Sequence, residues 1–348
     1  MKVLLINPWI YDFAAFDMWS MPLGLLSLAG VLKQAGHEAV FIDCVSRHHP
    51  AVAGKTPPEK PFHTGKFFSV EIEKPPSLSW LQRRYKRHGI PEEAFRADLT
   101  AADPVDAVLV TSRMTYWYPG VRRCIEIIRE ELPGTPVALG GIYASLCPDH
   151  ARRTCAPDFL WRGEGEAGVL RLLEEMTGRL SGSPPEAVKG NGDMDHLPMP
   201  EYGLLYNRKA LAIETSRGCP FRCDYCASGV LFPRYRRKSP GRVADEIEAA
   251  VSCFGTEDFA FYDDALLHRA QEHFVPMARE VIRRGIRARH HLPNSVFASH
   301  VTPEVAGLMK EMGFRTIRLS LESTNPERLR KLNRGITADH FAEAMRNL

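Results

Sequence analysis

Short apolar runs alternate with helical repeats along most of the chain. Lys2-Val-Leu-Leu-Ile-Asn7 is an apolar run stopped at Pro8, the pattern of a strand buried on both faces that opens into a loop. After it, Leu25, Leu28, Ala29 and Leu32 recur at helical spacing between Pro22, suited to a first helical turn, and Gly36, which ends the element. Val40 to Cys44 predicts a second strand, Val105 to Thr111 a third and Val137 to Gly140 a fourth, with a helix over Val121 to Leu132 between the last two. A short fifth strand at Phe159 to Trp161 precedes a helix over Glu166 to Met176. This alternation implies a Rossmann-like α/β domain, a doubly wound parallel sheet that binds ligands beyond the carboxyl ends of its strands.

One stretch breaks the rhythm. Arg47 to Asp103, rich in Pro, Lys, Arg and Glu, separates the second and third strands and reads as an insertion, irregular around Pro57-Pro58 and Pro75-Pro76, with helices expected over Leu78 to His88 and Pro91 to Leu99. Gly, Ser, Pro and acidic residues without periodicity mark a linker from Ser181. A second alternation follows, with strands expected at Leu211 to Thr215, Phe259 to Tyr262, Arg289 to Leu292 and Thr316 to Leu321, and helices at Gly241 to Phe254, Gln271 to Arg284 and Pro303 to Met312. The expected division is a first domain over 1–180 with its insertion at 47–103, a linker at 181–204 and a β/α domain over 205–348.

Composition narrows the function classes. With 45 Lys and Arg against 42 Asp and Glu, the formal charge of +3 supplies no global field for nucleic acid or an anionic membrane. The longest strongly apolar stretch, Leu23 to Leu32, is too short to span a bilayer, and Met1 to Ile10 lacks a signal-peptide layout, so a cytoplasmic protein is expected. Eight cysteines in 348 residues are too dilute for a disulfide scaffold. Three of them, Cys219, Cys223 and Cys226, crowd into one loop after a predicted strand.

Three thiolates in one loop can bind three irons of a four-iron cluster and leave the fourth open, whereas structural zinc requires four ligands and no partner pair follows. Thr215-Ser-Arg-Gly-Cys219-Pro-Phe-Arg-Cys223-Asp-Tyr225-Cys226, with an aromatic residue before the last cysteine, resembles the radical S-adenosylmethionine (SAM) superfamily, in the form carried by members with an N-terminal cobalamin-binding domain. Pro22-Leu-Gly-Leu25, Gly36-His37, Ile42-Asp43, Gly140-Gly141, Gly163-Glu164-Gly165-Glu166 and Leu197-Pro198 extend that likeness over most of the chain. The resemblance implies a 4Fe-4S cluster on Cys219, Cys223 and Cys226, SAM chelated by the open iron, and reductive cleavage of SAM to a 5′-deoxyadenosyl radical.

The resemblance also implies roles for other residues. Asp263 and Asp264 end the second strand of the C-terminal domain, where the family holds the SAM amino group. Alternation across a strand favours Asp264 over Asp263, with a solvated acidic turn as the other reading. Glu322, ahead of Ser320, falls where the family contacts the SAM ribose and carboxylate; Asn294 lines the same cavity or serves as a turn residue, and Tyr225 flanks the cluster. Cobalamin is placed over the loops after the N-terminal strands, at Thr111, Ser112, Gly140, Gly141, Gly163, Glu164 and Gly165. The Asp-x-His-x-x-Gly motif of mutases is absent, as in much of this subgroup.

The basic runs Arg83 to Arg87 and Arg234 to Lys238 are expected to be solvated, the second with SAM contact or docking of an acidic electron donor as alternatives. Cys253 is assigned to the core face of its helix. The implied activity is cobalamin-dependent methyl transfer to an unactivated centre, with cyclisation, ring contraction or oxidation, or an inactive binding protein, as alternatives. The implied partners are a small-molecule or peptide substrate and a reductant such as flavodoxin or ferredoxin, without nucleic acid or membrane. An eight-unit barrel takes roughly 250 residues, so the C-terminal segment accommodates about four β/α units of the six expected in the family, a partial barrel.

Overall fold

The computed structural model describes residues 1–182 and 194–348, which divide into two compact units. The described residues of the first unit are 1–182 and 197–207; those of the second are 194–196 and 208–348. Of the expected linker at 181–204, residues 183–193 lie outside the described residues. Among the described residues no helix is long and apolar enough to cross a membrane.

The first unit is a five-stranded sheet, and the printed pairs in it are parallel. Lys2–Asn7 lies at its heart between Glu38–Asp43 and Ala107–Val110, followed outward by Val137–Leu139 and Phe159–Leu160. In chain order the strands run 2-1-3-4-5, a doubly wound arrangement whose order reverses between the first and third strands. Val3, Leu4, Leu5 and Ile6 are wholly buried because both faces are covered. Val3 and Leu5 pack with the helices Leu23–Gln34 and Val169–Thr177, and Leu4 and Ile6 with Tyr118–Glu131 and Glu92–Ala102. Two short helices, Ile142–Leu146 and Pro148–Cys155, follow the fourth strand unannounced by any apolar stripe.

The insertion is partly a correction. Glu92–Ala102 is the expected helix, but Leu78 to His88 is not helical: Lys86–His88 is a strand between Ile10–Asp12 and Ser69–Glu71 in an antiparallel sheet. That segment has no apolar stripe to bury, whereas pairing satisfies its backbone and lets Tyr85 become buried. Its basic run is not simply solvated, since Arg83 and Arg87 lie over the rings of Phe13 and Trp9.

The second unit carries four parallel strands in sequential order, Ala210–Ile213, Asp258–Phe261, Arg289–His291 and Phe314–Thr316, linked by the helices Pro240–Phe254, Phe274–Arg283 and Pro303–Met312. Sequential order is that of a β/α barrel wall. The expected strand Thr316 to Leu321 is instead broken. Phe314–Thr316 pairs with the third strand, whereas Leu319–Ser320 pairs with Val296–Phe297, and Arg318 reaches from the break to the Pro293 carbonyl at 2.7 Å. The helix Pro240–Phe254 buries Val243, Ala244, Ile247 and Ala250, and Cys253 falls outside that stripe and is exposed, contrary to its core assignment.

His290 is fully buried against Phe259, Phe261 and Phe314, and neither ring nitrogen has a hydrogen-bond partner. Burial, with His291 adding to it, pulls its pKa down to about 3. The unfolded chain takes up a proton near pH 6.5 while the folded chain refuses it, so this residue costs stability increasingly as pH falls below that value. We expect His290→Leu to stabilise the protein at pH 7.5 by about 1 kcal/mol. That advantage grows by up to roughly 1.4 kcal/mol per pH unit below pH 6.5, measured as the difference in urea unfolding between variant and parent; a pH-independent difference would refute the assignment.

Candidate functional site

The site forms where the first strand of the second unit ends. Ser216–Arg217 pairs antiparallel with Arg236–Arg237, and the cysteine loop and the one-turn helix Ser228–Leu231 lie between these two arms. The loop leaves its arm through Gly218, at φ +84°, where a Cβ would stand 2.7 Å from the Arg234 carbonyl oxygen, so only glycine fits. The basic run Arg234 to Lys238 is therefore only partly solvated: Arg234 is exposed, whereas Arg236–Arg237 supplies the second arm and Lys238 is buried on Glu246 at 2.6 Å.

Inside the loop, Phe221 stacks on Phe297 with ring centroids 3.9 Å apart, and the Cys226 amide donates to the Cys223 carbonyl at 3.0 Å. The turn Leu332-Asn333-Arg334 grips the loop from the other side. Leu332 accepts from the Asp224 amide at 3.2 Å, Asn333 donates to the Arg222 carbonyl at 2.6 Å, and Arg334 donates to Cys223 Sγ at 3.7 Å. Arg334 also donates to Ser320 Oγ at 2.6 Å, pairs with Glu322 at 2.9 Å and lies 4.0 Å from the centroid of the Phe297 ring. The sequence singled out neither Asn333 nor Arg334 as a site residue, because both follow a short polar helix with no pattern of their own.

The donor set fits a cluster. All three thiols are free, Cys219 and Cys223 are half-buried, and Cys226 is exposed. Burial, aided by Asp264 and the other two cysteines, pushes the Cys219 thiol up to about 11. Soft ligands on one compact turn suit iron and sulfide, which bind the thiolate and displace its proton.

The two aspartates part company. Asp263 is buried and accepts from the Thr215 hydroxyl, the Ser216 hydroxyl and the Ser216 amide at 2.6 Å each, and from the Thr215 amide at 3.2 Å. It thus fastens the end of the second strand to the segment that launches the cysteine loop. Thr215 also contacts the buried His273, 3.0 Å away. Asp264 is half-buried beside Ser228 and Glu214, and burial raises its pKa. Asn294 donates to the Tyr262 carbonyl at 3.0 Å and so ties the loops after the second and third strands. Tyr225 is half-exposed near Glu322, and Glu322 holds a left-handed backbone at φ +62°, a strain that side chains rarely tolerate without compensation. Cys219, Cys223, Cys226, Asp264, Tyr225, Ser320 and Glu322 thus gather around one loop.

In the first unit the expected loops also meet. Thr111 and Ser112 follow the third strand at the reversal of strand order. Ser112 is buried, donates to the Gly140 carbonyl at 2.5 Å and accepts from the Ala144 amide at 3.3 Å, so its hydroxyl builds the turn. Gly141, at φ +90°, passes so close that a Cβ would lie 2.3 Å from the Ser112 carbonyl oxygen. Gly163 donates to Ser145 Oγ at 3.0 Å, the Glu164 carbonyl accepts from the Trp161 indole at 2.9 Å, and Gly165 abuts Leu28. Around these turns Phe16, Met18, Met114, Tyr116 and Ile142 are exposed, an apolar rim on the loops after the first, third and fourth strands.

Residues 213–348 match the Radical SAM superfamily. That match spans nearly all of the second unit and makes it similar to the radical SAM domain. More particularly, the chain is similar to a methylase, to a cyclase and to a methyltransferase solved with cobalamin. It is 28% identical to the hopanoid C-3 methylase of Methylococcus capsulatus over 65% of this chain and 47% of that protein. It is 24% identical to the anaerobic magnesium-protoporphyrin IX monomethyl ester cyclase of Synechocystis over 94% of this chain and 62% of that one. The methyltransferase TsrM of Kitasatospora setae, solved with cobalamin and a 4Fe-4S cluster, superposes with a TM-score of 0.70 at 19% identity, covering 99% of this chain and 66% of that one. The chain therefore spans about half to two-thirds of the length of these relatives.

Removing the Asp263 carboxylate takes away the acceptor of two amides and two hydroxyls at the loop's base, of which the Thr215 hydroxyl keeps a contact with His273. Asp263→Ala is expected to destabilise the apoprotein by about 3 kcal/mol in urea unfolding, whereas Asp264→Ala changes it by under about 1 kcal/mol; equal losses would refute the division of roles.

Proposed function

We propose that this chain carries the core of a cobalamin-dependent radical SAM methyltransferase that acts on an unactivated centre of a small molecule or peptide. The observation that carries the reading is the three-thiol loop, fixed at the carboxyl end of a parallel β/α wall in a chain that also holds a doubly wound unit with an apolar rim. Bound on Cys219, Cys223 and Cys226, the cluster supplies the electron that cleaves SAM, and cobalamin on the first unit supplies methyl-group chemistry. The chain's own residues position the reactants. Asp264 is placed to accept hydrogen bonds from the SAM amino group, while Glu322, Ser320 and Asn294 offer polar contacts along the rest of SAM. Phe221 and Phe297 exclude water from the loop's inner side. Thr111, Gly140, Gly141, Gly163 and the neighbouring Ser112, Glu164 and Gly165 set the turns that present the rim to the corrin. An electron carrier such as flavodoxin or ferredoxin is the proposed reductant. Thiols that must stay reduced to hold iron suit the cytoplasm.

A second reading, cobalamin-dependent cyclisation, is favoured by the match of the cyclase relative to 94% of the chain. Anaerobic reconstitution tests both. We expect about four irons per chain, lost in Cys223→Ala, a corrin band in the visible spectrum, and 5′-deoxyadenosine formed from SAM with dithionite. A full cluster that yields no deoxyadenosine would overturn the radical reading, and a corrin-free spectrum would overturn the cobalamin assignment. Methyl-labelled SAM then separates the two chemistries, since only methyl transfer places the label in the product.

A further inference from the structure

Arg222, Arg234, Arg328 and Arg330 are all exposed, and none of them forms an ion pair or a side-chain hydrogen bond with the described residues. Each belongs to a segment in direct contact with the cysteine loop. Arg222 lies within the loop, and the backbone of Arg234 closes on Gly218 beside Cys219. Arg328 and Arg330 sit on the helix Pro326–Lys331, whose C-terminal turn is hydrogen-bonded to the loop through Leu332 and Asn333. The carboxylates nearby in sequence offset little of this charge: Glu327 pairs with Lys331 at 3.0 Å, leaving Asp224 as the exposed acid of the loop itself. Elsewhere in the unit Arg284 is tied down by Asp245, Glu248 and Glu280, while Arg287 and Arg315, on segments away from the loop, are exposed too and serve as the comparison. A chain of net charge +3 thus concentrates unpaired cationic charge around the group that has to receive an electron.

Resting on the cluster assignment above, we propose that Arg222, Arg234, Arg328 and Arg330 form the docking face for an acidic one-electron carrier protein. The carrier loses one electron and the cluster gains it; no bond is made or broken and no proton moves. Unpaired cations at the rim of an interface act mainly on association, by steering an oppositely charged partner, and their effect is screened by salt. Cys226 is itself exposed, so the loop that these arginine-bearing segments contact is open to approach from solvent.

The test uses the reconstituted full chain and a photoreduced bacterial flavodoxin, with loss of cluster absorbance followed by stopped flow. The triple variant Arg222→Gln, Arg328→Gln, Arg330→Gln is expected to lower the second-order rate constant roughly tenfold at low salt. The difference should vanish near about 0.5 M salt, with iron content and reduction by dithionite unchanged. A control pair, Arg287→Gln and Arg315→Gln, removes exposed charges before the third strand and within the fourth and is expected to change the rate less than about twofold. An unaltered rate in the triple variant, or an equal loss in the control pair, overturns the docking face. A chain that takes up no iron overturns the cluster assignment first and the docking face with it.

Discussion

The carboxylate of Asp263 is the constraint on which the second unit's chemistry depends. Parallel strands by themselves fix only the register of backbone; they leave the loops at their carboxyl ends free to wander. By accepting two amides and two hydroxyls from Thr215 and Ser216, Asp263 welds the exit of the first strand to that of the second. Burial alone would favour its neutral form, and those four donors oppose that tendency. The cysteine loop therefore starts from a fixed base rather than from a flexible strand end, a condition for holding three thiols in one geometry.

A similar economy governs the first unit. The hydroxyl of Ser112 is consumed in joining the turns after the third and fourth strands, and Gly141 exists because any side chain there would strike that turn. Polar groups at the strand ends shape the platform, and exposed apolar side chains supply its contact surface. Should this platform receive the proposed corrin, recognition would rest on surface shape presented by rigid turns, with few side-chain ligands.

The strand-helix alternation was readable because the strands of the first unit's parallel sheet are built on apolar runs and the major helices bear one stripe each. The three cysteines were readable because their spacing is itself the chemistry. What stayed hidden was pairing between distant segments. Arg236 and Arg237 read as a solvated basic run, yet they are a strand whose partner lies on the far side of the cysteine loop. Leu78 to His88 has no stripe, and its strand at Lys86–His88 arises only because Ile10–Asp12 offers an edge. The break at Ile317-Arg318 is equally invisible, since both halves of Thr316 to Leu321 have strand-like composition and differ only in the partners they find.

Arg334 joins the inner thiol of the loop, the hydroxyl at the end of the broken fourth strand, a strained glutamate and an aromatic face with a single guanidinium. Loop and C-terminal turn are consequently one cooperative unit. A group on Cys223 that binds better with the helix Pro326–Lys331 docked stabilises that docking by the coupling free energy, and fraying the helix weakens the hold on that group by the same coupling. Occupancy of the loop and order in the turn that follows this helix are thereby two readings of one equilibrium.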